Sequence, residues 1–285
     1  CKHILQLLHW GLIPYVHFAW PKEGQTGLVI PVWLSRFDSS KQIQQYLERS
    51  GILHKRNKMS NKILFSADWH IKLNTRNIPN SWQINRFFLA VEEMNKIYKQ
   101  NNCDLHIIGG DILDVSKPSP EEVELYFECI SRLEGNILIF TGNHEMINNK
   151  ESCLHKLALE TSRCNANARV ILEPYRSDRF DIIDYVELHN KQWKPAKSRL
   201  CFSHVRGAIT PHVKPEINLN SFEEHGYDLV IAGDLHSVDC CQTTPNIPLM
   251  YPGSPFNTSF SRNKIPEKSH GVFIVDTDTL MYDWV

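Results

Sequence analysis

Five apolar runs in this chain stop at residues that an apolar core would not choose. They read KILFSADWH, LHIIGGDILD, ILIFTGNHE, RLCFSHV and LVIAGDLH. Each run is short enough for a buried strand and too short for a helix. Each ends in a residue that binds hard or borderline metal ions: Asp68 with His70, Asp111 with Asp114, Asn143 with His144, His204, and Asp234 with His236. One such ending is ordinary. A D-x-H is most often a turn, a G-D after a strand is often a helix cap, and a lone histidine is usually a satisfied structural one. Five together, all at the carboxyl end of their strands, point to a shared site, because ligands in open α/β sheets sit at that end.

Between the first three runs lie helical patterns. Phe87, Val91, Met94 and Tyr98 recur at helical spacing, and Ser119-Pro120-Glu121-Glu122 reads as a capping box with Val123, Phe127 and Ile130 as the buried stripe. ESCLHKLALE is expected to be a third helix. Beyond it the chain is strand-rich, through ARVILE, FDIIDYVEL, RLCFSHV, YDLVIAGD, IPLMYPG, HGVFIVD and LMYDWV. Alternation early and strands late predict an α/β fold, a sandwich of mixed β-sheets flanked by helices.

Residues 59–285 are expected to carry this domain, with Met59 as a natural start after the basic stretch HKRNK. Residues 1–58 are read as an N-terminal extension that need not belong to the native protein; a small accessory domain with a short helix over 39–47 is the alternative. That extension holds eight of the 31 Lys/Arg and three of the 32 Asp/Glu, which leaves the rest of the chain near −6. An autonomous cationic nucleic-acid binder is therefore disfavoured unless a local basic patch or bound cations supply the attraction. His3, His9, Pro14 and His17 interrupt the apolar opening, so neither a signal peptide nor a membrane span is expected. The eight scattered cysteines are expected to be reduced thiols in a cytoplasmic setting.

Two divalent ions about 4 Å apart need a carboxylate that bridges them, further carboxylates to balance charge, and imidazole or amide donors to complete the shells. Glycines beside the ligands let the backbone turn sharply. The ordered motifs SADWH, GGDILD, TGNHE, FSHV and AGDLH resemble the calcineurin-like metallophosphoesterase family. MYPGSPFNTSF and SHGVFIVD are similar to segments of its SbcD-like DNA repair and recombination nucleases, a branch that includes phage recombination endonuclease subunits.

The resemblance implies one ion held by Asp68, His70, Asp111 and His236, and a second held by Asp111, Asn143, His204 and Asp234. His144 would contact the scissile phosphate and assist the leaving oxygen. Glu145 and Asp114 would orient the ligands, a capping or turn role being equally open for Asp114. Asp234 departs from the family, which usually has histidine there; a carboxylate suits manganese or magnesium better than zinc. Manganese is the expected ion, with magnesium, iron or zinc as alternatives. Lys72, Arg76 and Arg206, with Lys117, Lys214, Arg262 and Lys264, are candidate contacts to backbone phosphates, although a solvated surface charge is the commoner fate of each.

The implied activity is two-metal phosphodiester hydrolysis by a DNA exo- or endonuclease of recombination and repair. A phosphomonoesterase or protein phosphatase of the same fold is the main alternative, followed by a small-molecule phosphodiesterase and a non-catalytic repair scaffold. Expected partners are DNA, a coiled-coil ATPase of the SbcC type and a second copy of the chain, with no membrane. The family's capping domain is expected to be absent or truncated here.

Overall fold

The computed structural model describes residues 60–190, 192–209, 211–244, 246–256 and 270–285. The expected helix at 39–47, the Met59 boundary, Arg262 and Lys264 lie outside these residues. Strands β1 (Lys62–Ser66), β2 (Leu105–Gly109) and β3 (Asn136–Phe140) run parallel in one sheet. A small hairpin follows, β4 (Met146–Asn148) with β5 (Glu151–Ser152), before β6 (Ala168–Val170) returns to the same sheet parallel to β3.

Strands β7 (Tyr175–Arg176), β8 (Asp181–Ile183), β9 (Leu200–His204), β10 (Leu229–Gly233), β11 (Gln242–Thr244) and β12 (Ile247–Met250) form a second sheet in the order β11-β12-β10-β9-β8-β7. Its central members are parallel, and β7 and β11 pair antiparallel at its edges. Finally β13 (Phe273–Asp276) and β14 (Tyr282–Trp284) add antiparallel to the first sheet, whose order is β14-β13-β1-β2-β3-β6.

Side-chain alternation along a strand sends neighbours to opposite faces. In β1, Ile63 and Phe65 therefore face the second sheet while Leu64 faces the helices, and all three are fully buried. Phe65 stacks on Phe202 of β9 with ring centroids 5.1 Å apart, part of the layer that glues sheet to sheet. Helices α1 (Asn80–Gln100), α2 (Pro120–Arg132) and α3 (Cys153–Cys164) cover the outer face of the first sheet. The short helices α4 (Tyr185–Leu188) and α5 (Asn220–Glu224) lie with the outer face of the second, where Phe222, Tyr227 and Val230 pack. A four-layered α/β sandwich results, with mixed sheets as expected.

The capping box of α2 is present: Ser119 Oγ accepts from the Glu122 amide, and the Glu122 carboxylate accepts from Ser119 N at 2.8 Å. Three local readings are corrected. Ile97 rather than Tyr98 closes the buried stripe of α1, and Tyr98 packs at the rim beside Gly135. Val123 and Phe127 are only partly buried and line an open cleft, because the deeper stripe of α2 runs through Leu125, Tyr126, Cys129 and Ile130. FDIIDYVEL is not one strand: Asp184 caps α4 by accepting from Glu187 N at 2.8 Å, which ends β8 at Ile183. Trp82 belongs to the first turn of α1.

Candidate metal centre

β1, β2, β3, β9 and β10 deliver the candidate residues to one edge of the sandwich. The turns after β1 and β2 are zipped together: Asp68 N donates to Gly110 O at 3.1 Å, His70 N to Asp111 O at 2.8 Å and Ile71 N to Ile112 O at 2.8 Å. This pairing requires sharp reversals, and Asp68 (φ 58°), His70 (φ 47°) and Asp111 (φ 51°) all lie in the left-handed region, as does Asp234 (φ 97°). Aspartate and histidine tolerate that region better than most side chains, but four such residues in one site store strain that the surrounding structure must hold. Glycines give the room. A Cβ on Gly110, itself at φ 86°, would sit 2.5 Å from His204 Nδ1, and one on Gly233 would sit 2.7 Å from the Gly109 carbonyl oxygen.

Asp111 is the hub. Its Oδ2 lies 3.4 Å from His204 Nε2, 3.7 Å from His70 Nε2 and 3.9 Å from His144 Nε2, while its Oδ1 accepts from the His144 amide at 2.9 Å. To one side, His70 Nε2 and His236 Nε2 face each other at 3.0 Å, and His236 Nε2 is 3.8 Å from Asp68 Oδ1. To the other side, the inward-facing atom of the Asn143 carboxamide is 2.9 Å from His204 Nε2 and 3.2 Å from both Asp111 Oδ2 and Asp234 Oδ1. His204 Nε2 and Asp234 Oδ1 are 3.9 Å apart. All seven candidate ligands therefore converge, in overlapping groups: Asp68 with His70 and His236, His70 with Asp111 and His144, and Asp68 with Asp111 and His204, with Asn143 and Asp234 beside the last.

The hydrogen bonds behind these atoms decide which ones face the centre. His204 is fully buried and its Nδ1–H donates to the Gly109 carbonyl at 2.8 Å, which leaves Nε2 as the donor atom for a metal. Asp114 Oδ1 lies 3.3 Å from His70 Nδ1 and turns the His70 ring in the same way; its other oxygen pairs with Lys72 at 2.6 Å. Asp114 thus lies between His70 and Lys72. Its backbone carbonyl also receives His144 Nδ1 at 2.6 Å, so His144 presents Nε2 outward, and its side chain is 41% exposed.

Glu145 is fully buried and reaches none of the donor atoms. Instead it accepts from Asp111 N at 3.1 Å, Leu113 N at 3.0 Å and Gly142 N at 2.8 Å, tying the turn after β2 to the turn after β3.

Ser254 did not figure among the candidates. Its hydroxyl lies 2.7 Å from both the Asp68 and Phe256 carbonyl oxygens, and Tyr251 donates to the Val205 carbonyl at 2.9 Å behind His204. The Tyr-Pro-Gly-Ser segment, conspicuous in the sequence only as a motif, thus braces the turns that carry Asp68 and His204.

The proposed phosphate contacts are less gathered. Arg76, Lys117 and Lys214 are exposed, Lys72 is engaged by Asp114, and Arg206 is half-buried two residues beyond His204.

The electrostatics fit bound cations. Burial, reinforced by Asp111, raises the Asp68 carboxyl to about 7, and burial with the same neighbour raises Glu145 to about 7. Burial opposes ionisation of Asp111 too, but the imidazoles of His204, His70 and His144 outweigh it and hold Asp111 below the usual carboxylate range. Burial also raises Asp234, against the opposing charges of His204 and Arg206, and lowers His236 to about 4, with His70 adding to the effect. Carboxylates buried this closely repel one another, and divalent ions would relieve that repulsion. The donor set, with mixed carboxylate oxygens, imidazole nitrogens and one amide, suits divalent ions.

Ions bound there would displace protons from Asp68, whose carboxyl burial raises to about 7, and from the imidazoles of His70 and His204, which, against burial, neighbouring carboxylates hold above their ordinary range. Affinity is therefore expected to rise with pH by about 10-fold per unit for each proton released. Isothermal titration with manganese at several pH values, in buffers of different ionisation enthalpy, is expected to show that rise together with net release of protons to the buffer.

Comparison with known proteins places these features in a family. The family model of the calcineurin-like phosphoesterases matches residues 61–238. "Probable exonuclease subunit 1" of Escherichia phage T5 is 51% identical over 225 residues, covering 79% of this chain and 68% of the relative. The SbcD component of the SbcCD nuclease of Bacillus subtilis (strain 168) is 26% identical over 88 residues, 30% of this chain and 22% of that one. The crystal structure of TT1561 of Thermus thermophilus shares the fold at a TM-score of 0.50 with 9% identity, over 79% of this chain and 98% of that one. No described helix is long and apolar enough to cross a membrane. The sandwich, the strand-end cluster and the family match agree: the chain belongs to the calcineurin-like phosphoesterase family, and it is a hydrolase of phosphoester bonds.

Proposed function

We propose that the chain is the catalytic domain of a DNA nuclease that hydrolyses phosphodiesters with two divalent ions, manganese foremost. The observation that carries this reading is the convergence of two ligand groups on Asp111: Asp68, His70 and His236 on one side, Asn143, His204 and Asp234 on the other. Ions bound there would supply positive charge against the phosphate oxygens and a water acidified to near-neutral pH.

The chain's own residues do the rest. Asp111 sets the spacing of the two groups, and Glu145 keeps the Asp111 turn rigid against the Asn143 turn. His144 stands at the open face with Nδ1–H fixed on Asp114 O, so Nε2 is positioned to hold or deliver a proton at the departing sugar oxygen.

DNA as substrate is supported by the phage relative named an exonuclease subunit; the same word, subunit, supports assembly with a second protein, for which a coiled-coil ATPase or a second copy of this chain are the proposals. The proposal includes action in a phage-infected host cytoplasm, for which the phage relative is the support, a role in repair or recombination, and residues 59–285 as the catalytic domain.

The test is digestion of end-labelled single- and double-stranded DNA with and without manganese, with Asp111→Ala beside the wild type. Manganese-dependent cleavage that the variant lacks is expected. Hydrolysis of p-nitrophenyl phosphate but not of its bis-ester would instead indicate a monoesterase. His144→Ala is expected to keep its full metal complement, measured by mass spectrometry of the protein-bound metal, while kcat falls about 10²–10⁴-fold. Equal metal loss in His144→Ala and Asp111→Ala would make His144 a ligand instead.

A further inference from the structure

We propose that Arg206 is the anchor for a second phosphate of the substrate, one nucleotide away from the phosphate that is cleaved, and so selects a polynucleotide over an isolated phosphoester. This rests on the nuclease reading above and adds to it the residue that recognises a chain. Arg206 begins the loop after β9, two residues beyond His204, and its charge is felt by Asp234. It is half-buried, and its Nε is sealed from solvent with no hydrogen-bond partner. Among the described residues it forms no ion pair. A buried guanidinium N–H without an acceptor is costly, so such an arginine is kept for something absent from the free chain.

The adjacent carboxylate is already committed. Glu216 Oε1 takes the Tyr185 hydroxyl at 2.8 Å and lies 3.2 Å from His189 Nε2, while Oε2 takes the backbone N–H of Arg206 at 3.1 Å. The Glu216 amide in turn donates to the Arg206 carbonyl at 3.0 Å. Glu216 thus clamps the main chain of Arg206 at both N–H and C=O and leaves the guanidinium free. A fixed backbone and a planar cation with no ion-pair partner among the described residues suit an anion with several acceptor oxygens, and a guanidinium pairs with phosphate through two parallel hydrogen bonds. Arg206 stands two residues beyond His204 and is not among the seven converging residues, so we assign it a neighbouring phosphate of the same strand.

Binding of a fluorescein-labelled single strand of about 20 nucleotides, followed by anisotropy in EDTA across a potassium chloride series, isolates Arg206 from bound ions and from turnover. Arg206→Gln is expected to weaken binding about 10-fold and to flatten the plot of log K against log salt by about 0.7, the slope of one phosphate contact on single-stranded DNA; Arg206→Lys should recover part of both. In manganese, the ratio of kcat/KM for the oligonucleotide to that for bis-p-nitrophenyl phosphate should fall about 10-fold in Arg206→Gln, with the loss in KM. Wild-type affinity and slope in Arg206→Gln, an unchanged ratio, or a wild type that binds no DNA would each overturn the assignment. A wild type that binds DNA with the expected Arg206 dependence but hydrolyses no diester would leave the anchor standing and refute the nuclease reading.

Discussion

Asp111→Asn is expected to lower manganese-dependent diester hydrolysis by about 10³-fold or more and to reduce bound metal in both positions, although the side chain keeps its shape. Asp111 lies between the two proposed ligand groups, with Oδ2 within 3.7 Å of His70 and His204 Nε2, and its Oδ1 also receives the His144 amide. An amide in its place removes the negative charge that three imidazoles face and offers one acceptor where the carboxylate offers two. Kinetics with bis-p-nitrophenyl phosphate and metal stoichiometry by mass spectrometry read the two effects together. Retention of either metal at full occupancy would show that Asp111 serves one ion and not two.

A second large effect is expected from a residue that touches no ligand atom. Glu145→Ala strands the amides of Asp111, Leu113 and Gly142 in a fully buried place. Three donors that lose a carboxylate acceptor cost about 4 kcal/mol, near the upper end of single substitutions. For a domain of this size the melting temperature would fall by roughly 8–16 °C. Because those amides set the turns that carry Asp111 and Asn143, metal affinity should fall with stability, and saturating manganese should restore part of the lost melting temperature. Glu145→Gln, which keeps an acceptor oxygen, should lose much less. Thermal melts with and without manganese distinguish this positioning role from a purely structural one, which would give the same loss in both.

What the sequence held was the pattern along the chain. Short apolar runs that end in Asp, His or Asn announce buried strands with a site at their carboxyl ends, and the order of the motifs carried the family. Ser119 and Glu122 wrote the start of α2 directly, because a capping box is a local hydrogen-bond pattern within four residues. The FDIIDYVEL strand failed because Asp184 at that point caps a helix, a local rule that the apolar run concealed.

What only the tertiary structure decided were the pairings between residues far apart in the chain. Glu145 accepts amides more than thirty residues upstream, Asp114 meets both His70 and His144, and Ser254 braces Asp68 across 186 positions. No spacing rule encodes such contacts. They arise because two sheets packed face to face bring five strand ends to one edge, where left-handed turns at Asp68, His70, Asp111 and Asp234 are held in place only by bonds that the assembled sandwich supplies. Motifs along the sequence thus named the residues that converge at the strand ends. Their distances, their protonation and the free guanidinium of Arg206 were set by packing.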